Sequence, residues 1–135
     1  MARLTEAQRA QLDALRRSYR AELPAKLRLV GEAAATLRAG GWKTADLQAL
    51  YELVHKLTGS AAIYGFSRIS RAAGDVETWL LPALDADVPE ERRAELPALL
   101  AALEQAFEAS GNAGADKAVA RREPGRVTRR GSASR

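Results

Sequence analysis

The clearest helical pattern in the chain lies in residues 44–65, TADLQALYELVHKLTGSAAIYG. Apolar side chains recur there every three or four residues, which places them on one face of a helix. Thr44 is the expected N-cap, and Tyr64 with Gly65 ends the segment. A helix with one apolar face has to bury it against other elements, so the flanking segments decide the fold class. The expected inward face comprises Leu47, Leu50, Tyr51, Val54, Thr58 and Ala61, with Leu57 at its edge.

The flanking segments show the same helical period. One helix is expected to begin at Thr5, which forms a capping-box pattern with Gln8. A second is expected to begin near residue 23 and end near residue 38, because Pro24 is best tolerated in a first turn. A single kinked helix across Pro24 is the alternative. Two more helices are expected at about residues 67–81 and 89–109, the last one bent or delayed by Pro97.

Length and composition agree with these helices. The chain has 135 residues, of which 47% are hydrophobic and only 5% aromatic. The hydrophobic residues are largely Ala and Leu, which favour helix over strand. We therefore expect an all-α domain over residues 1–110, an antiparallel up-down four-helix bundle with an additional N-terminal helix.

Composition also excludes several kinds of site. The chain has no Cys and one His, which excludes a disulfide scaffold, a thiolate zinc site and a multi-histidine metal site. No apolar run reaches the roughly 18 residues of a membrane span. The first residues lack the apolar stretch of a secretory signal, so the cytoplasm is the expected compartment.

The net charge of +4 belongs to the C-terminal end of the chain. Residues 1–110 hold 14 basic and 15 acidic side chains, whereas residues 111–135 hold 7 basic and 2 acidic ones. Residues 111–135 also lose the apolar period, which predicts a flexible, disordered basic tail. The near-neutral body argues against a folded nucleic-acid-binding domain, and the tail has no aromatic residue to stack on bases.

His55 is the candidate functional residue. It is expected just off the buried face, about 100° from Val54 on the helical wheel. Gly59 follows one turn later, although a glycine inside a helix costs about 1 kcal/mol relative to alanine. Two explanations are open: Gly59 clears a flat surface beside His55 for a partner, or it lets another helix of the bundle pack closely.

The segment HKLTGSAAIYGF at residues 55–66 resembles the signature of histidine-containing phosphotransfer (HPt) domains. Residues 37–42 resemble the loop before the histidine helix of that family, and residues 69–79 the helix after it. The resemblance covers roughly residues 10–108. It implies a four-helix bundle that carries a phosphoryl group on histidine in bacterial two-component phosphorelays.

By this resemblance, His55 is phosphorylated on Nε2 by a receiver-domain aspartate and returns the group to another. The family often has Lys three residues after the histidine, where this chain has Thr58. Lys56, Arg68 or Arg71 is a candidate for the missing charge. A backbone carbonyl or a carboxylate such as Glu52 is the candidate acceptor that orients the ring. Thr58 could itself offer a hydrogen bond at the phosphoryl site, but a bond back to the Val54 carbonyl is the favoured expectation. The expected docking residues for the receiver are Gln48, Gly59, Ala62, Ile63 and Arg68.

The chain shows no ATP-binding or Gly-rich phosphate loop. We therefore expect a phosphocarrier without autokinase activity, without a metal or cofactor of its own, and with Mg²⁺ on the receiver. The expected partners are a response-regulator receiver domain, a hybrid histidine kinase, or both. The carrier itself is expected to be a monomer.

Three other functions are open at this point. The first is an adaptor that docks to a kinase or response regulator without carrying phosphate, which the missing lysine favours. The second is nucleic-acid binding through the tail. The third is acid–base catalysis by the acidic residues between positions 85 and 91, although acidic side chains there also fit a solvated loop and a helix first turn.

Overall fold

A computed structural model describes residues 3–113, and the side chains of residues 3–110. The described chain is helical and consists of α1 (Glu6–Ala39), α2 (Thr44–Ile63), α3 (Ser67–Ala83), the one-turn α4 (Glu90–Arg93) and α5 (Leu96–Ala113). The four long helices form the expected all-α bundle. The last helix continues past the expected domain boundary at residue 110. The tail expected beyond it lies outside the described residues.

The first helix differs from the expectation. Residues 6–39 form one continuous α-helix with Pro24 inside it, so the prediction of a separate N-terminal helix was wrong and the single-helix alternative is correct. A proline inside a helix destabilises that helix by about 3 kcal/mol. Pro24 itself lies on the exposed side of α1. The apolar stripe passes through this point without interruption, because Leu23 and Leu27 are both buried. Burial on both sides of Pro24 outweighs the loss of one helical hydrogen bond.

The helix boundaries are set by local interactions. Thr5 caps α1 by accepting from the Gln8 amide at 3.0 Å, while the Gln8 side chain accepts from the Thr5 amide at 2.8 Å. This is the capping box expected from the sequence. Thr44 is the first residue of α2 and Lys43 occupies the N-cap position, so the predicted cap was one residue late. Pro97 delays the start of α5, as expected, since it lies in the first turn.

One hydrophobic core joins the long helices. The helix α2 lies between α1 and α3 and packs most extensively on α3, which also packs on α5. Short connections make successive long helices antiparallel. The fully buried residues of α2 are Leu50, Val54 and Ala61, which confirms the face read from the sequence. Because this face points inward, His55, about 100° round the helix from Val54, lies at the surface beside it.

Trp42 packs over one end of the core, as expected. Its ring meets the Trp79 ring edge-on, with centroids 6.0 Å apart, and the Arg93 guanidinium lies 5.1 Å from its ring centre. The loop that delivers it turns through positive φ at Gly41 (84°) and at Trp42 itself (64°). A non-glycine residue in this region is strained by about 1–3 kcal/mol, which the aromatic packing offsets.

Within residues 3–113, no helix combines the length and apolarity needed to cross a bilayer.

Tyr19 gives the bundle a pH dependence in the alkaline range. Its hydroxyl forms a 2.6 Å hydrogen bond with Ser60 Oγ. Burial raises the pKa of Tyr19 above its ordinary 10.0 and outweighs the lowering by that hydrogen bond. Below pH 10 this group leaves stability unchanged. Above it, the unfolded chain loses the proton before the folded one, so the free energy of unfolding falls.

We expect Tyr19→Phe to be about 1 kcal/mol less stable than the wild type at neutral pH, since it loses one hydrogen bond. Urea unfolding from pH 8 to pH 11 should show this difference shrinking above pH 10. Other titrating groups are common to both proteins, so the difference isolates Tyr19. Parallel stability curves over this range would contradict the assignment.

Candidate functional site

His55 lies in the middle of α2, and its ring is held by a carboxylate from α3. The distance between His55 Nδ1 and Glu77 Oε2 is 2.8 Å. The His55 side chain is 62% exposed, whereas that of Glu77 is only 18% exposed. An ionised carboxylate only accepts hydrogen bonds, so Nδ1 is the donor. In the neutral ring, Nε2 then keeps the free lone pair.

The antiparallel register of α2 and α3 brings these two residues together. Ser70 Oγ donates to the Thr58 carbonyl oxygen at 2.8 Å. One turn further along α3, a Cβ added to Gly74 would lie 3.8 Å from the Thr58 methyl group. Glu77 follows on the next turn and meets His55, 22 residues away in sequence. Ser70, Gly74 and Glu77 thus form one stripe of α3 beside α2.

Glu77 takes the role for which the sequence suggested Glu52. Glu52 is exposed on the outer surface of α2, and the carboxylate on the His55 ring comes from the next helix instead. Sequence periodicity predicts the helix on which each residue lies, but it does not predict the register between the two helices. The available signal was the spacing of Ser70, Gly74 and Glu77, a stripe of small and polar residues beside the buried face of α3.

Tyr51 also contacts this pair of side chains. Its ring is nearly parallel to the imidazole, at 14°, with the two ring centres 5.6 Å apart. Its hydroxyl lies 3.5 Å from the same Glu77 Oε2, at the outer limit of a hydrogen bond. The sequence placed Tyr51 on the buried face, and in the structure it is half-buried at the edge of that face.

The residues suggested for charge neutralisation are not gathered around His55. Thr58 Oγ1 donates to the Val54 carbonyl oxygen at 2.9 Å, the backward bond expected from the sequence. Lys56 lines a groove between α1 and α2 together with Lys26 and Leu53. Arg68 lies nine residues before Glu77 on α3, about half a turn round that helix, so it is on a different face of α3 from Glu77.

The suggested docking residues of α2 share one exposed strip with His55. Ile63 is 75% exposed and is the most exposed large apolar side chain of the described chain. Gly59 and Ala62 are small, so the strip is flat on the side of the imidazole that leads to Ile63. We define the α2 strip as Gln48, Glu52, His55, Gly59, Ala62 and Ile63, all exposed.

Two helical glycines lie beside His55, Gly59 on α2 and Gly74 on α3. A Cβ added to Gly59 would meet no atom within 4 Å. A Cβ added to Gly74 would make only an ordinary contact with Thr58. Packing therefore requires neither glycine, which excludes the explanation that Gly59 lets another helix approach. Each glycine nevertheless costs helix stability, and both flatten the surface next to the imidazole.

The site offers no ready set of metal ligands. Across the part of the chain that the structure describes, no three His, Asp or Glu side chains come close enough together to hold a metal ion. The acidic residues between positions 85 and 91 lie in the connection between α3 and α5 and in the first turn of α4. The chemistry of the site is thus that of one accessible imidazole held by one carboxylate.

A family model described as the Hpt domain matches residues 14–106. The match spans more than half of the chain and includes α2 and α3 entirely. Neither a curated protein nor a solved structure matches the chain significantly. The family assignment therefore rests on the family model, together with a helical bundle that presents a histidine on its surface.

Proposed function

Since the chain belongs to the Hpt domain family, we propose that it carries a phosphoryl group on His55 within a two-component phosphorelay. In this proposal a receiver-domain phosphoaspartate donates the group to His55, which passes it to another receiver aspartate. The observation that carries the proposal is the 2.8 Å contact between His55 Nδ1 and Glu77. It supports an imidazole whose Nε2 is an accessible nucleophile.

The transfer balances without a further reactant. The Nε2 lone pair attacks phosphorus, the N–P bond forms as the P–O bond to aspartate breaks, and the carboxylate departs. The ring gains positive charge while its Nδ1 proton remains hydrogen-bonded to the Glu77 carboxylate, which stabilises that charge. In the reverse direction the same proton makes the ring a better leaving group.

Phosphoryl transfer depends mainly on positioning and on neutralising charge. The proposal assigns positioning to this chain and neutralisation to the receiver, including the Mg²⁺ there. Two residues support that division. The Thr58 hydroxyl donates to the backbone, and the Lys56 side chain lines the groove between α1 and α2 instead of lying beside the ring. The carrier itself would act in the cytoplasm without autokinase activity.

The α2 strip is the proposed docking surface. Gly59, together with Gly74 on α3, leaves a flat area beside the imidazole, which suits close approach by the backbone of another protein. Ile63 offers an exposed apolar anchor next to it. These features support a partner that covers His55 during transfer, rather than a small molecule held in a pocket.

An adaptor that docks without accepting phosphate is the second candidate. The observation in its favour concerns Thr58, which occupies the position where the family often has lysine. Its hydroxyl donates to the Val54 carbonyl oxygen. The two candidates share the docking surface and differ only in whether His55 takes label. One experiment therefore separates them.

Incubation with several phosphorylated receiver domains and Mg²⁺ should place acid-labile, base-stable phosphate on the wild-type chain and none on His55→Gln. His55 is the only histidine, so phosphohistidine has one possible location. Absence of label in the wild type, with receiver binding still detected, would establish the adaptor. Label that persists in His55→Gln would contradict the assignment of His55.

Alanine at Gly59 or Gly74 should stabilise the isolated protein by roughly 0.5–1 kcal/mol while impairing transfer. The added methyl group has space in the free protein but would keep a partner from close approach. We expect transfer to slow about five- to tenfold, a cost typical of one overpacked contact. Urea unfolding and single-turnover transfer measure the two effects.

The matched control for these variants is Gly31→Ala. Gly31 is also a glycine inside a helix, and like Gly59 it has no atom within 4 Å of an added Cβ, but it lies on α1 beside α5. It should gain the same stability and transfer at the wild-type rate. Equal transfer by all three alanine variants would contradict docking at Gly59 and Gly74.

Glu77→Ala should lower the transfer rate about ten- to a hundredfold, the loss expected for one hydrogen bond to a charged group. Glu77→Gln keeps an acceptor for the Nδ1 proton and should lose less. Glu32→Ala removes an exposed carboxylate from α1 and serves as the control. Rates of Glu77→Ala within twofold of this control would show that Glu77 does not prepare the ring.

A further inference from the structure

Tyr51 contacts both members of the His55–Glu77 pair. It lies one turn before His55 on α2, with the two rings nearly parallel at 14°. Its hydroxyl approaches the same Glu77 oxygen that accepts from His55, at 3.5 Å against 2.8 Å. Three side chains from two helices therefore meet at a single carboxylate oxygen.

We infer that Tyr51 is a positioning residue for transfer at His55. Its ring holds the imidazole in the orientation in which Nδ1 reaches Glu77, and this keeps the proton on Nδ1 and the lone pair on Nε2. The inference rests on the proposed function for its effect on transfer. Its effect on the ring itself is a property of the unphosphorylated protein.

The exposure of His55 is the reason that such a residue is needed. Rotation about the bond between Cβ and the ring has broad energy wells, and the side chain is 62% exposed. Water therefore competes for Nδ1, and the net gain from one exposed hydrogen bond is small. A neighbouring aromatic face reduces the rotations available to the ring, since offset stacking favours one relative orientation.

The ring of Tyr51, rather than its hydroxyl, carries this effect. An oxygen–oxygen distance of 3.5 Å is long for a hydroxyl donor, whose usual range is about 2.5–3.0 Å. The aromatic contact with His55 is independent of that distance. Tyr51→Phe should therefore keep most of the positioning, and a non-aromatic replacement should lose it.

The chain contains a matched control for the aromatic contact. Tyr64, at the C-cap just after α2, is also half-buried, but it stacks on Tyr19, with ring centroids 4.7 Å apart, instead of on His55. Tyr64→Leu removes an aromatic stack of the same kind without touching the imidazole. Any general effect of losing a half-buried tyrosine that packs against the core should appear in this variant as well.

The test uses ¹⁵N NMR of the imidazole in the full chain, where a single histidine gives only two ring-nitrogen signals. The wild type, Tyr51→Phe and Tyr64→Leu should show mainly the Nδ1–H tautomer. Tyr51→Leu should show a larger Nε2–H population, and its rate of phosphoryl uptake should fall about three- to tenfold, as expected for loss of one aromatic contact. Tyr51→Phe should stay within twofold of the wild type.

Tyr51→Met provides a second non-aromatic variant with good helix propensity, so the test does not depend on the folding of one protein. Wild-type tautomer populations in a folded Tyr51→Leu or Tyr51→Met variant would overturn the inference. A wild-type chain that takes no phosphate from any receiver contradicts the proposed function alone, because the tautomer populations still report whether Tyr51 orients the ring.

Discussion

The burial of one face of α2 determines the direction in which His55 points. Leu50 and Val54 have no exposed surface, and Leu57 is 2% exposed. Turning α2 by one residue would bring such side chains into water at a cost of about 1.5–3 kcal/mol each. No local contact of His55 approaches the combined cost. The core therefore fixes the rotation of the helix, and the imidazole is exposed because the leucines are not.

The same rotation decides which residues can reach the imidazole. Once the core face is fixed, the side of α2 that carries Tyr51, His55 and Thr58 borders α3. The hydrogen bonds across this border run from Ser70 to the Thr58 carbonyl and from His55 to the Glu77 carboxylate. They are few and partly exposed, so they contribute less to stability than the core does. These hydrogen bonds orient the imidazole ring, whereas the packing of the core determines the arrangement of the helices.

Sequence patterns revealed the scaffold but not the contacts between its helices. The apolar period predicted α2 and its buried face, because burial itself produces that period. The prediction from the apolar period failed at Pro24. A proline usually ends a helix, but the burial of Leu23 and Leu27 on either side of it keeps α1 continuous. The apolar period also could not identify Glu77, because register between helices depends on packing in three dimensions. The surroundings of Gly59 needed the same information, since only the structure shows that no helix packs there.

Charge around the imidazole sets what the proposed function requires of a partner. A phosphoryl group would bring further negative charge to a ring that already faces the Glu77 carboxylate. The proton on Nδ1 offsets part of that charge. Thr58 donates its hydroxyl to the backbone, and Lys56 lies in the groove on the other side of α2. For the proposed carrier, we therefore expect the protein that covers His55 to supply the remaining positive charge. The phosphorylated ring would be better stabilised within the complex than alone, which suits a residue that passes the group on rather than stores it.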